Sequence, residues 1–182
     1  MVEGKLAEAL AISRTPLREA LGRLEGEGLL LKGASRSFSV RSVSAREFFE
    51  SLKVRETLES EAAELAAGRV PMQDLVSLRR QVIEAGQVPT QGREHWLADN
   101  RLHATVAVAS GNAVLAALVR SLRITTQLFE IKRPLARVEA DRDEHLAILE
   151  ALAAEDGAKA RRAMRLHLRN LRADVMLLLS GD

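Results

Sequence analysis

The chain has 182 residues and a formal net charge of +2, which gives room for one medium domain or a small module joined to a larger one. Apolar residues make up 47% and charged residues 29%, enough for a sizeable soluble core, while 3% aromatics and no tyrosine favour helix packed on helix over a β-sandwich. The absence of cysteine excludes disulfides and thiolate metal sites. With no apolar run of about eighteen residues and no export signal at the N-terminus, the expectation is a soluble cytoplasmic protein without a membrane partner.

Charge is spread unevenly but weakly. Residues 1–43 carry seven basic against five acidic side chains, and the remainder balances. An excess of this size permits nucleic-acid binding without pointing to it.

In chain order, Val2–Leu10 reads as a short helix with Leu6 and Leu10 on one face. After Ala11-Ile12-Ser13, Thr15 and Pro16 suit a helix start: a capping hydroxyl, then a proline where no N–H is needed. Leu17, Ala20, Leu21 and Leu24 form the expected buried stripe, and "GEGLL" ends the helix. Leu29–Leu31 and Phe38–Val43 are β-prone runs joined by "KGASRS", a hairpin. From Ser44 the pattern becomes long amphipathic helices over 45–67, 72–85, 92–109, 113–130, 137–154 and 157–179. The breaks fall at "GRVP", "GQVPTQG", "SGN", "KRP" and "EDG". The last helix shows the clearest stripe: Ala160, Met164, Leu168, Leu171, Val175 and Leu178. The fold class is therefore mainly α, with a small N-terminal module over 1–43 and an antiparallel all-helical bundle over 44–182.

Two short helices, a tight turn and a hairpin give the order of a winged helix-turn-helix, whose second helix enters the DNA major groove. Arg14 and Arg18 lie one turn apart near that helix's mouth, where they reach a guanine edge or a phosphate. Ser13 and Thr15 offer hydroxyls to phosphate, and Arg36 sits at the hairpin tip. Spacing alone equally suits a helical hairpin with solvated arginines. The segment "LAEALAISRTPLREALGRLEGEGLL" resembles the helix-turn-helix signature of GntR-type transcription regulators, specifically the FadR-like branch. That resemblance implies double-stranded operator DNA as a partner. It also marks departures: Ala11 stands where the family has a turn glycine, which a turn avoiding positive φ tolerates, and Ser37 replaces a glycine of the wing. The family's first helix should precede this segment, and only Met1–Glu3 do, so the module is expected to be incomplete at its N-terminus.

Four histidines can be weighed one by one. Asp99 and His103 stand at i, i+4 on one helix face, with Trp96 and Val106 on the same stripe. His145 shares a stripe with Ile148, Leu149 and Leu152, and His167 with Met164, Leu168 and Leu171. A lone buried carboxylate costs several kcal/mol unless paired. Three imidazoles and one carboxylate converging from three helices would bind a divalent cation, with zinc first and nickel, iron or manganese as the others. Singly, each histidine is also compatible with an ordinary core or surface role. From "SAREFFESLKVRETLESEAAELAA" to "MRLHLRN" the chain resembles the helical ligand-binding FCD domain of FadR-like regulators. In metal-containing members the ligands are the Asp and His of a DxxxH helix, a His in an "EH..IL.A" helix and a His in the last helix. The resemblance carries these onto Asp99, His103, His145 and His167. His95 is outside that pattern and is expected at the surface or behind the ligands.

The same resemblance implies a pocket in which a small carboxylate effector reaches the cation. Arg55 in "VRETLE" matches an arginine near that pocket, and a helix-surface pair with Glu59 is its plain alternative. Asn170 is a second pocket candidate, and Arg123 and Arg133 are possible lids. The expected function is a non-enzymatic, metabolite-responsive repressor acting as a homodimer on pseudo-palindromic half-sites. One alternative is a metal-dependent hydrolase, with Glu144 as the tempting base, although its direction is roughly 100° from that of His145. The other is a sensor whose DNA-binding head is non-functional.

Overall fold

Side-chain caps set where the bundle helices begin. Ser44 accepts a hydrogen bond from the Glu47 amide (3.2 Å), Asn112 from the Leu115 amide (3.0 Å) and Asp156 from the Lys159 amide (2.8 Å), and each satisfies a donor the helix itself cannot. The computed structural model describes residues 2–34, 37–87 and 92–181. Among these, α1 (Glu3–Ala9) and α2 (Arg14–Gly26) lead into a hairpin of β1 (Leu30–Lys32) and β2 (Phe38–Val40). Then come α3 (Ala45–Ala66), α4 (Met72–Ala85), α5 (Arg93–Ala109), α6 (Ala113–Lys132), α7 (Val138–Ala153) and α8 (Gly157–Ser180).

The six long helices fall within a few residues of their sequence-based ranges because Gly, Pro and Asn interrupt the 3.6-residue pattern at each end. α3 lies at the centre of the bundle and packs against α5, α6 and α8, while α7 closes on α8 and α4. The core is aliphatic around one aromatic pair, Phe48 stacked on Phe129 at 4.4 Å between centroids. In α8 the stripe holds from Ala160 to Val175, but Leu178 is 37% exposed because the helix runs past the end of its neighbours.

The N-terminal unit has its own small core of Ala7, Leu17, Leu21, Leu30 and Phe38. Its hairpin is antiparallel, with Leu30 opposite Val40 and Lys32 opposite Phe38. Three details differ from the sequence reading. α2 starts at Arg14 with Ser13 at the cap position and no side-chain cap bond, so Pro16 sits third in the helix, where its missing N–H is still not needed. Only Leu17 and Leu21 are buried in α2; Leu24 and Ala20 are exposed, since a two-helix and hairpin unit covers a narrow stripe. Ala11 takes φ 51°, so the turn does use the left-handed conformation.

The second strand ends at Val40 because the chain then turns to the bundle. Val43 enters the bundle core, Arg41 donates to Thr125 Oγ1 (3.4 Å) and pairs with Glu47, and Lys132 Nζ donates to Ser42 Oγ (3.1 Å). The start of α8 is tightly seated on α3: a Cβ at Gly157 would lie 2.8 Å from the Glu64 carbonyl oxygen. Gly157→Ala is therefore expected to lower stability by roughly 1–3 kcal/mol despite alanine's better helix propensity, read as a lower Tm in thermal unfolding. A rise in Tm would mean that α8 is not held against α3 at this point.

Candidate metal and effector centre

The helical repeat supplies the site in short runs. α5 presents His95, Asp99 and His103 at four-residue spacing, α3 presents Arg55 and Glu59, α6 presents Arg123, Thr126 and Glu130, and α7 presents Asp141 and His145. Packing of α5, α7 and α8 around α3 then brings Asp99, His103, His145 and His167 together, with one potential ligand atom from each within 4.8 Å of the others. Asp99 Oδ1 lies 3.4 Å from His103 Nε2 and 3.5 Å from His145 Nε2. The three rings have centroids 4.6–5.5 Å apart and are 1–3% exposed.

The outer nitrogens decide which way the inner ones face. His103 Nδ1 pairs with Glu59, and His167 Nδ1 with Glu144 Oε2 at 2.8 Å. A carboxylate on Nδ1 holds the proton there and leaves Nε2 as a lone pair turned to the cluster. The Nε2 atoms of His103 and His145 are buried with no hydrogen-bond partner. An unsatisfied buried polar atom costs about 1–3 kcal/mol, and two of them beside a carboxylate oxygen form a donor set that fits a divalent cation.

Electrostatics agree with that fit. Burial, and then the neighbouring His167, push His145 down to about 3; burial, and then His103, do the same to His167, so both are neutral at pH 7. Burial works against the Asp99 charge, yet the Arg123 guanidinium holds its carboxyl well below the usual range. Glu59 is likewise lowered, by Arg55 and His103 against the cost of burial.

Beside the histidines lies a cavity of about 10 Å³, lined by Arg55, Trp96, Asp99, Arg123, Glu130 and His167 among others. Arg55 is 2% exposed, donating from Nε to Glu59 Oε1 (2.6 Å) and from Nη1 to Thr126 Oγ1 (2.7 Å), so its pair with Glu59 is interior and not on a helix surface. Arg123 pairs with Asp99 and donates to Asn100 Oδ1 (2.9 Å). Asn170 donates to Glu144 Oε1 (2.6 Å), behind His167. Arg133 is not part of the site; its guanidinium lies over the Phe129 ring at 5.2 Å. A larger cavity of about 770 Å³, at the end of the bundle by Arg137, Asp174 and Leu177, contains none of the expected ligands.

Two residues are placed more closely than their spacing could say. Of the two positions open to it, His95 takes the one behind the ligands, buried with Nε2 3.3 Å from Asp141 Oδ2. Glu144 does point away from the direction of His145, but α8 meets it there, so it supports His167 and pairs with Arg137 (2.6 Å). Glu59, Glu130, Arg137 and Asp141 were not anticipated as members of the site. The i, i+4 pairs Arg55/Glu59 and Asp141/His145 were the available signal. In the N-terminal unit Ser13, Arg14 and Thr15 are exposed at the start of α2, Arg18 is half exposed and bonded to Glu3 (2.7 Å), and Arg36 lies outside the described residues.

Residues 50–170 match the FCD domain and residues 1–40 match the bacterial regulatory proteins of the gntR family. The chain belongs to the GntR family and carries an FCD domain. It is 32% identical to the HTH-type transcriptional regulator LutR of Bacillus subtilis over 91% of this chain and 86% of that protein. It is 36% identical to the Nta operon transcriptional regulator of Aminobacter aminovorans over 66% of this chain, a match that spans 58% of that protein. Among solved structures, E. coli McbR/YncC superposes with a TM-score of 0.79 at 25% identity, covering all of this chain and 88% of that one. This GntR-family regulator thus has relatives named for transcriptional control and not for catalysis. Among its described residues no helix is long and apolar enough to cross a membrane.

One ionisation at the site has a measurable sign. Burial, and then the Asp99 charge, push the Glu130 carboxyl up to about 7. Between the ordinary carboxyl value and that one, the unfolded chain releases a proton that the folded chain keeps, so stability is lost as pH rises through this window. In the metal-free protein Glu130→Gln is expected to gain roughly 1–3 kcal/mol relative to the parent between pH 5 and pH 8 in urea unfolding. An equal difference at both pH values would contradict it.

Proposed function

We propose that this chain is a metabolite-responsive repressor that holds a divalent cation on Asp99, His103, His145 and His167 and a small organic acid beside it. It would bind operator DNA as a homodimer through residues 1–43, with residues 44–182 as the sensing and dimerising domain. The observation that carries the reading is the pair of buried, partnerless Nε2 atoms on His103 and His145, facing Asp99, with the His103 ring fixed from behind by Glu59. When bound, a cation of this kind supplies coordination positions that accept a carboxylate oxygen. At rest the adjoining cavity has room for about one water, and both guanidiniums are engaged, Arg55 by Glu59 and Thr126 and Arg123 by Asp99, so the acid is seated as these side chains move to give it their donors. Zinc suits the three-imidazole, one-carboxylate set, and nickel, iron and manganese are the competitors. The protein's own side chains do the positioning: Glu59 orients His103, and Glu144, itself held by Arg137 and Asn170, orients His167.

α6 gives the site a route to the DNA-binding unit. It carries Arg123 and Glu130 at the cavity and Thr126 on the cavity's Arg55, and on the same helix Thr125 and Lys132 hold Arg41 and Ser42 of the connecting segment. An acid that draws Arg55 from Thr126, or Arg123 from Asp99, biases α6, and the ties at Arg41 and Ser42 pass that bias to α2. DNA must then alter acid affinity by the same factor.

Metal analysis tests the site. The purified protein is expected to hold one divalent cation per chain, and His103→Ala and His167→Ala to weaken it at least tenfold in competition with a chelator. Stoichiometric metal in both variants would remove these histidines as ligands. DNA binding is tested by mobility shift on the intergenic region upstream of the protein's own gene. Arg14→Ala is expected to weaken binding by about 5- to 100-fold, with residual binding more alike on specific and random DNA. If the parent chain shows no preference over random DNA at physiological salt, the operator reading fails and a metabolite sensor without a working head takes its place.

A further inference from the structure

Each other strongly buried acid in the bundle has a partner. Glu56 accepts from Arg169 (2.9 Å), Glu59 is shared by Arg55 and His103, and Asp141 is held by His95 and Arg137. Glu130 is different. It is 7% exposed, and among the described residues its carboxylate makes no hydrogen bond or ion pair. It lines the same small cavity as Arg55, Arg123, Asp99 and His167, one turn along α6 from Thr126 and two from Arg123. A carboxylate on a cavity wall with no protein donor is an acceptor that a ligand's donor can satisfy.

We propose that Glu130 sets the specificity of this cavity by accepting a hydrogen bond from the effector, so that the acid recognised carries a hydroxyl or ammonium group as well as its carboxylate. The proposal rests on the acid-sensing reading above. Arg55 and Arg123 offer only donors, and Glu130, when ionised, offers only an acceptor. A plain alkanoate satisfies the guanidiniums and leaves Glu130 bare. A hydroxy acid or an amino acid satisfies both ends, and sites that bind a ligand donor reject the analogue lacking it far more strongly than apolar pockets discriminate by size.

The test is calorimetry on the metal-loaded full chain with two matched series: propionate, lactate and alanine, and succinate, malate and aspartate. The parent is expected to bind the hydroxy or amino member of a series at least tenfold more tightly than its unsubstituted partner. Glu130→Leu is expected to bring that ratio to within about threefold, with metal content and the circular-dichroism spectrum checked for folding. Glu130→Gln, nearly the same shape, separates the two donors: its amide oxygen still accepts from a hydroxyl, so a hydroxy-acid ratio survives in part, whereas an ammonium ratio collapses with the charge. If the parent's ratio persists in Glu130→Leu, the extra group is read by the cation or another residue and the proposal is overturned. If the parent binds all members of a series equally, Glu130 reads nothing while the acid pocket stands. If no member binds, the acid-sensing reading fails first and this inference falls with it.

Discussion

The bundle is organised around a layer of ionisable side chains, most of which are answered by a partner from a neighbouring element, Glu130 being the exception. Bringing Glu59, Asp99 and Asp141 out of water costs several kcal/mol apiece unless guanidinium or imidazole replaces the lost hydration. The answering groups come from different rods: Arg55 and Glu59 on α3 meet His103 from α5, Arg123 from α6 meets Asp99, and Arg137 ahead of α7 gathers Asp141, Glu144 and Asp174. The aliphatic core above and below specifies that helices pack, but these pairs specify which face of each helix turns inward. The same pairs aim two imidazole nitrogens at Asp99, so the demand for charge balance and the geometry of the candidate metal centre have one origin.

α3 and α6 divide the work. α3 touches nearly every other helix and carries the Arg55–Glu59 pair that anchors His103, so it behaves as the fixed reference of the domain. Beside its apolar packing, α6 is tied at the cavity to α3 by Thr126 to Arg55 and to α5 by Arg123 to Asp99, polar contacts for which an incoming anion competes. Apolar packing such as Phe48 on Phe129 resists displacement, whereas a guanidinium can exchange one carboxylate for another when the one it leaves, here Asp99, is answered by something else, such as a cation. A helix held this way is suited to adopting two nearby positions.

Much of this architecture was readable in the chain. The long helices have Gly, Pro, Ser, Asn and Asp at their ends, and His103, His145 and His167 each fall on a leucine- and alanine-rich stripe, so their burial followed from periodicity. What could not be read was the pairing between helices. Glu144 lies one residue before His145 and projects elsewhere on α7, and only the course of α8 turns that direction into support for His167. His95 shares a face with Asp99, yet its burial depends on Asp141 arriving from α7. Glu130 sits on a helix with ordinary amphipathic composition, and nothing local distinguishes it from a solvated glutamate. The left-handed Ala11 was hidden for the opposite reason: the turn's tertiary geometry overrides the residue's own preference.

The N-terminal unit shows why such coupling need not be large to matter. Its core is five residues, and Leu10, Ile12 and Leu24 remain exposed, so its own packing contributes little to fixing where α2 sits relative to the bundle. That placement depends on Leu29 and Val43 against the bundle core and on the polar ties from Arg41 and Ser42 to α6. The two polar ties are both to the helix that lines the cavity. A displacement of α6 too small to disturb the aliphatic core therefore acts directly on the seat of the DNA-binding helix. In a dimer the effect appears twice, as a change in the distance between two reading heads whose target spacing is set by the DNA helix.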